Sequence, residues 1–590
     1  MKSAGASTLA GALGGSLGVG SVVATLKSST ARANQLRHSS ISAGQPRGSL
    51  SADLSPYTGS WGDVQLRHVL RRTMFGVPES QFLAAQALGS MDAVVNQLLA
   101  CQDLTTVPLP TAPASWLTTF PSEVTGTTAQ MNRTRLQAME RQQIENWWFD
   151  QMVQENLSIR QRLTLMWTNH FVTGSLTVLS PQIVFAYLML SMQYALGNFK
   201  DFAYHMSISD AMLLYLNGNQ NYYINGKSSA NENYARELME LFTLGILFPG
   251  TNVPNYTETD IQNSALALTG WQLSNYKQPP VSPFQGILWD GTNGNPNWHN
   301  TGTKTFLGQS GNFALTDILA IIFQQPTYSP ASPAGIPTGY PSGYTSAYWV
   351  SQKLYQEFVY YVPNTSVVDA MARLLIQNNF EIAPVMQALL TSAHFYDASV
   401  IGAQLKSPAI FAGSLVREFG LTYPAFNPED PPQKDPSQDP TQVVVTYVDP
   451  NPALSLITYG VLNVEGQELL NPPNVKGWPG GHNWVSTGTF QAREASSYAS
   501  LNNAFSKGYS LSFDPSAYGM QVPNATSSTA AALGQALENM SLAFTLGPLE
   551  SGDLLSDLEV DYKDPTYQFD PNGLKLFAPA LALLPEFQLF

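Results

Sequence analysis

The densest set of reactive side chains lies in Asn231-Glu-Asn-Tyr-Ala-Arg-Glu-Leu-Met-Glu-Leu-Phe-Thr-Leu-Gly245, which reads as a helix closed by Gly245. On such a helix Glu232, Arg236 and Glu240 recur every four residues and share a face, while Glu237, three before Glu240, sits roughly 100° away. Two carboxylates in different surroundings are the raw material of acid/base catalysis. Burial raises the pKa of one, and a cation such as Arg236 keeps the other ionised. The same spacing also fits an ion ladder on a solvated face, with Leu238, Leu241 and Leu244 packed inward.

Three further clusters carry polar chemistry. In Met166-Trp-Thr-Asn-His-Phe171, Trp167 and His170 lie three apart on one helical face beside Asn169. A histidine there is either a satisfied core group or, given its near-neutral pKa, a proton carrier. Trp298-His-Asn-Thr-Gly-Thr-Lys304 brings His299 and Lys304 into one loop. Asn471-Pro-Pro-Asn-Val-Lys-Gly-Trp-Pro-Gly-Gly-His-Asn-Trp484 is bent by its prolines and glycines. Its Trp478 and Trp484 serve equally as core plugs or as a stacking platform for sugar rings. The candidate catalytic set is therefore Glu237, Glu240, His170 and Arg236. The candidate substrate-binding set is Trp167, Asn169, Glu232, Tyr234, Trp271, His299, Lys304, Trp478 and Trp484.

Other chemistries fall away. Gly14-Gly-Ser-Leu-Gly18 matches a nucleophile elbow but follows no strand pattern. Gly226-Lys-Ser228 lacks the earlier Walker glycine, because position 221 is Asn. The seven histidines form no HExxH and no close pair, so a metal site would need distant segments. No cofactor is expected, and a metal enzyme using His170, His299 and the glutamates stands only as a third alternative.

The elements that must position these groups are helical. Periodicity predicts helices within 64–99, with a stop at Gly76-Val-Pro78, and at 130–155, 158–172, 181–196, 231–246, 258–271, 315–324, 346–361, 366–377 and 382–393. Ser158 is the expected N-cap of the third of these. Strand-like alternation is clearest at Gln442–Val448 and is short. Pro/Gly/Asn-rich loops at 274–303, 326–345 and 423–441 are too long for simple connectors. The expected fold is mainly α, a large multi-helix body with long loops and little β-structure.

Residues 1–33 contain Lys2, Lys27 and Arg32 but no acid, and enclose a Gly/Ser-diluted apolar stretch ending in Ala31-Arg-Ala33. That is the pattern of an export signal with a small-x-small cleavage site rather than a membrane span. Residues 34–59 then form a flexible mature N-terminus, and 60–590 a single helical body whose part 505–590 is semi-separate. Loss of the three basic residues of the signal takes the net charge from −14 to −17. Such a chain suits neither nucleic acid nor, without a later long apolar run, an integral membrane position. The expected location is secreted or periplasmic. Charged residues make up 12%, about half the usual share, which suits an acidic habitat. Cys101 is the only cysteine, so stability must come from the core rather than a disulfide.

Taken in order, the clusters resemble the bacterial family known as domain of unknown function 1800. The resemblance rests on Arg71-Arg-Thr-Met-Phe-Gly76, Trp167-Thr-Asn-His-Phe171, Asn231–Leu241, Ala267-Leu-Thr-Gly-Trp271, His299 with Gly302-Thr-Lys304, Leu405-Lys-Ser-Pro408 and Pro472-Pro-Asn-Val-Lys-Gly-Trp-Pro479. It implies an exported, mostly helical protein, often encoded beside another exported protein of phosphatase-like or sulfatase-like fold, and it implies no reaction. The family's helix usually continues Glu-Leu-His-Thr-Leu-Gly, whereas this chain has Phe242 at the His position. Export, abundant Trp and Tyr, and paired carboxylates lead to one expectation, a polysaccharide-active hydrolase or lyase with an extracellular glycan as partner. The alternative is a non-enzymatic exported binding or assembly protein that acts with the co-encoded partner.

Overall fold

The computed structural model describes residues 54–100, 127–274, 284–292, 294–326, 337–424, 426, 433–438, 444–501, 510–511, 582 and 585–590. The predicted export signal, most of the expected N-terminal arm and Cys101 lie outside these residues, as does most of 505–590.

The chain is mainly helical, with β-structure confined to short antiparallel pairs. The predicted helices appear close to their expected bounds, among them Thr127–Gln154, Arg160–His170, Pro181–Gln193, Glu258–Ala267, Leu315–Ile322, Tyr344–Phe358, Thr365–Gln377 and Ile382–Leu390. The stretch 64–99 divides into Asp63–Thr73, Glu79–Gln86 and Met91–Leu99. Of the expected strand, Tyr447–Val448 pairs with Gln433–Lys434. Pro408–Glu418 is an unpredicted helix, although Ser407 caps it by accepting from the Ile410 N–H and Pro408 occupies its first turn. All eleven of its residues are buried.

One continuous apolar core joins Leu66 and Val69 near the start to Phe587 and Phe590 at the end. The described residues of 505–590 are built into it. Leu589 bridges Leu405 in antiparallel fashion, the Phe590 N–H donates to the Gln404 carbonyl at 2.9 Å, and Leu511 pairs with Leu421.

Inside this core sit cations that composition alone would place outside. Arg71 lies 3.9 Å from Glu418, Arg162 2.9 Å from Glu357, and Arg493 3.6 Å from Glu465. Arg72 donates to the Val400 carbonyl at 2.8 Å. Aromatic faces cover the charges: Phe590 lies beneath both Arg72 and Arg162, and Phe411 beneath Arg493. Taking such groups from water is costly, and each pair offsets that cost only while both members stay. Arg493 and Glu465 have no exposed side-chain surface. Glu465→Ala is therefore expected to lower the unfolding free energy by about 3 kcal/mol in urea titration, against less than 1 kcal/mol for Arg373→Ala in an exposed pair; equal losses would remove the distinction.

Candidate functional site

The helix Arg160–His170 is the pivot of the site. Its start is fixed by Glu155, whose carboxylate accepts from the Ser158 hydroxyl at 2.8 Å and the Gln161 N–H at 3.3 Å. Ser158 in turn accepts from the Arg160 N–H at 3.1 Å, but the cap position itself is Ile159, which makes no side-chain cap, so Ser158 stands one residue before the expected place. Burial pushes the Glu155 carboxyl up to about 8. The helix is buried almost throughout, and Trp167 is wholly enclosed, its indole N–H donating to the Ala195 carbonyl at 2.9 Å. Trp167 is thus a core residue with no face left for a substrate, a correction to its sequence assignment. The C-terminal half of the helix, through Leu165, Met166, Asn169 and His170, borders an open cleft.

His170 Nε2–H donates to the Phe242 carbonyl at 2.9 Å, which leaves Nδ1 as the lone-pair nitrogen. That carbonyl belongs to the acidic helix, which is α-helical only over Glu232–Glu237 and widens into a π-turn over Leu238–Thr243. Widening misaligns the last carbonyls, and side chains satisfy them: His170 at Phe242, Trp349 Nε1–H at Leu241 (2.8 Å), and the Asn255 amide at Leu244 and Gly245. Phe242 itself is fully buried against Phe171. Burial, then the charge of Lys353, holds the His170 pKa down at about 3, against the opposing pull of its hydrogen bond. The imidazole is neutral at ordinary pH.

Asn169 holds a second segment. Its Oδ1 accepts from the Trp478 N–H at 2.7 Å and its amide donates to the Trp478 carbonyl at 3.3 Å, clamping the 471–484 loop. The clamp is possible only because residue 477 is glycine. Its φ is +80°, and a Cβ there would collide with both oxygens of Asn169. Asn169 is therefore a positioning residue for the loop rather than a free ligand-binding amide.

Clamped in this way, the loop walls a cleft of about 500 Å³, within the usual range for small-ligand sites. Asn169 and His170 lie at its back, Trp478, His482 and Trp484 on the loop side, and Trp349, Lys353, Glu357 and Tyr361 on the facing helix and its end. Tyr361 stacks against His482 with ring centres 4.4 Å apart. Lys353 packs over the Trp349 ring at 4.4 Å, and burial lowers its pKa. Trp349, Lys353 and Tyr361 were not singled out from the sequence, where 346–361 reads simply as a helix.

Glu237 and Glu240 stand beside the cleft rather than among its lining residues. Glu240 meets the rim through Lys476, 3.6 Å away, and Lys476 lines the cleft. Glu237 is raised by burial first and by the Glu240 charge second, with Lys476 and Arg236 opposing. Arg236 turns outward into an exposed triad with Glu232 (3.4 Å) and Glu258 (2.5 Å), so the ion-ladder reading describes it better than that of a carboxylate-orienting group.

The remaining candidates lie elsewhere. Tyr234 is buried with its hydroxyl donating to Ser207 at 2.6 Å. Trp271 belongs to a two-residue strand paired with Ile287–Leu288. His299 donates from Nδ1 to the Thr269 carbonyl. Lys304 is buried, its ammonium donating to the carbonyls of Asn300 and Gly302, so it fastens its own loop instead of meeting a substrate. Among the described residues no group of three His, Cys, Asp or Glu is arranged to hold a metal ion, and no helix is long and apolar enough to cross a membrane.

A family model described as a protein of unknown function, DUF1800, matches residues 68–332 and 343–589. No curated protein and no solved structure matches the chain.

Two outcomes follow from the corner at 169–170. Gly477→Ala is expected to cost about 2 kcal/mol in urea titration and to expose Trp478 to fluorescence quenchers. Gly466→Ala, at similar φ but with open space around it, should cost less and leave Trp478 shielded; the reverse order would refute the clamp. His170, depressed in the folded state, contributes stability that is present above pH 6.5 and is lost as pH falls through 6.5 toward 3. Thermal melts over that window should show a loss on the order of 1 kcal/mol per pH unit that is missing from His170→Gln.

Proposed function

We propose that this chain, which belongs to the DUF1800 family of proteins of unknown function, is an exported protein that admits a polysaccharide to the cleft and cleaves it as a hydrolase or lyase. The observation that carries this reading is the cleft's lining: Trp349 and Tyr361, with the largely buried Trp478 and Trp484 showing only an edge, border one space of about 500 Å³. Aromatic faces bury the apolar faces of sugar rings while the ring hydroxyls stay free for water and side chains. The paired carboxylates supply the chemistry in this proposal. Glu237, whose proton is held by burial and by its neighbour, acts as general acid. Glu240, paired with Lys476 3.6 Å away at the rim, acts as base or nucleophile.

A second reading is favoured by one specific observation: neither glutamate is among the cleft's lining residues. In that reading the cleft binds a glycan without cutting it, and the protein works with an exported partner of phosphatase-like or sulfatase-like fold.

Turnover on a panel of neutral and acidic polysaccharides, followed by reducing ends and by absorbance of unsaturated products, separates the two. Glu237→Gln and Glu240→Gln are each expected to slow cleavage by about 100-fold or more. Trp478→Ala and Trp484→Ala should chiefly raise KM. If both Gln variants cut at the wild-type rate, the carboxylate assignment fails. A wild-type protein that binds a glycan without cutting it establishes the second reading.

A further inference from the structure

The charges around the cleft do not balance, and the imbalance points to a class of ligand. Glu357 is held by Arg162 at 2.9 Å, and Lys476 by Glu240 at 3.6 Å. His170 is neutral, with one nitrogen committed to the Phe242 carbonyl. Lys353 differs: among the described residues no carboxylate lies within ion-pair distance of it, and its neighbour is the Trp349 ring at 4.4 Å. A chain with 42 acidic and 28 basic residues has ample acid to pair a lysine. An ammonium left without an anion in a half-enclosed polar cleft, and steered by an aromatic face, is therefore set out for an anion from elsewhere. Trp349 is itself fixed by donating to the Leu241 carbonyl, so the ammonium is presented from a rigid support.

We propose that Lys353 is an anion-binding residue that makes the cleft selective for acidic sugars, its ammonium pairing with a carboxylate or sulfate group while the cleft's Trp and Tyr rings take the sugar faces. This rests on the glycan reading above. The same burial that disfavours the lysine's charge makes a bound anion more favourable, because a partner charge in a partly desolvated site is screened less than in water.

The test is calorimetric titration of the full-length protein with three probes of matched length: oligogalacturonate for carboxylate, a sulfated galactan oligomer for sulfate, and a neutral galactan oligomer. At least one acidic probe is expected to bind about tenfold or more tightly than the neutral one; which acidic probe wins identifies the anion. Lys353→Met should abolish that preference, so that acidic and neutral probes bind the variant equally, while Lys353→Arg should retain it. Should Lys353→Met fail to fold, raising the salt concentration on the wild type replaces it, since the preference must shrink as ionic strength rises. Neutral and acidic probes bound equally, or a preference that survives Lys353→Met, would overturn this inference and leave the glycan reading standing. Failure of every probe to bind would overturn both.

Discussion

Two adjacent side chains at the end of one buried helix hold the whole site in place. Asn169 grips the backbone of Trp478, and His170 grips the carbonyl of Phe242. One bond set fixes the aromatic loop, which walls the cleft, and the other fixes the widened end of the acidic helix, where Trp349 of the facing wall is also bonded. The corner at 169–170 is rigid because the helix behind it is enclosed, with Trp167 wedged beneath it against Phe199 and Phe202. The hydrogen bonds are modest singly, but each satisfies a group that would otherwise be buried without a partner, which is where their leverage lies.

The body that supports the corner depends on buried charge to an unusual degree. Arg71, Arg72, Arg162 and Arg493 are all enclosed, and so are Glu418 and Glu465. Their effects on stability run in opposite directions with pH. Glu155 and Glu465, raised to about 8 and about 7, favour the folded state most below pH 4.5 and cease to do so as pH rises through those values. His68 and His170, both depressed, favour it above pH 6.5 and cease to do so as pH falls through their lowered values.

Much of the fold was legible because helix signals are local. Ser158, Gly245 and the periodicity of 130–155 or 366–377 announce elements without reference to the rest of the chain. Pro408–Glu418 announces itself in sequence only through its cap, Ser407 followed by Pro408. The site was only partly legible for a related reason. Trp478 and Trp484 were found because a glycine-rich turn with two tryptophans is unusual, and His170 because polar residues cluster beside it. Trp349, Lys353 and Tyr361 look ordinary in sequence, and their importance comes from facing a loop more than 100 residues away. Spacing along one helix reveals the Arg236–Glu232 pair of the ion ladder but not Glu258, which lies on the next helix. Trp167 and Tyr234 were misassigned to binding because an aromatic side chain in a polar motif gives no sign of its own depth.

The most direct measurement is hydrogen–deuterium exchange of the full-length protein with and without a bound oligosaccharide. Ligand in the cleft should slow exchange in two separated stretches together, 474–484 on the loop and 349–361 on the facing helix, and leave 299–312 unchanged. Protection confined to 299–312 or to the surface of 232–258, with both cleft walls unaffected, would contradict the placement of the site.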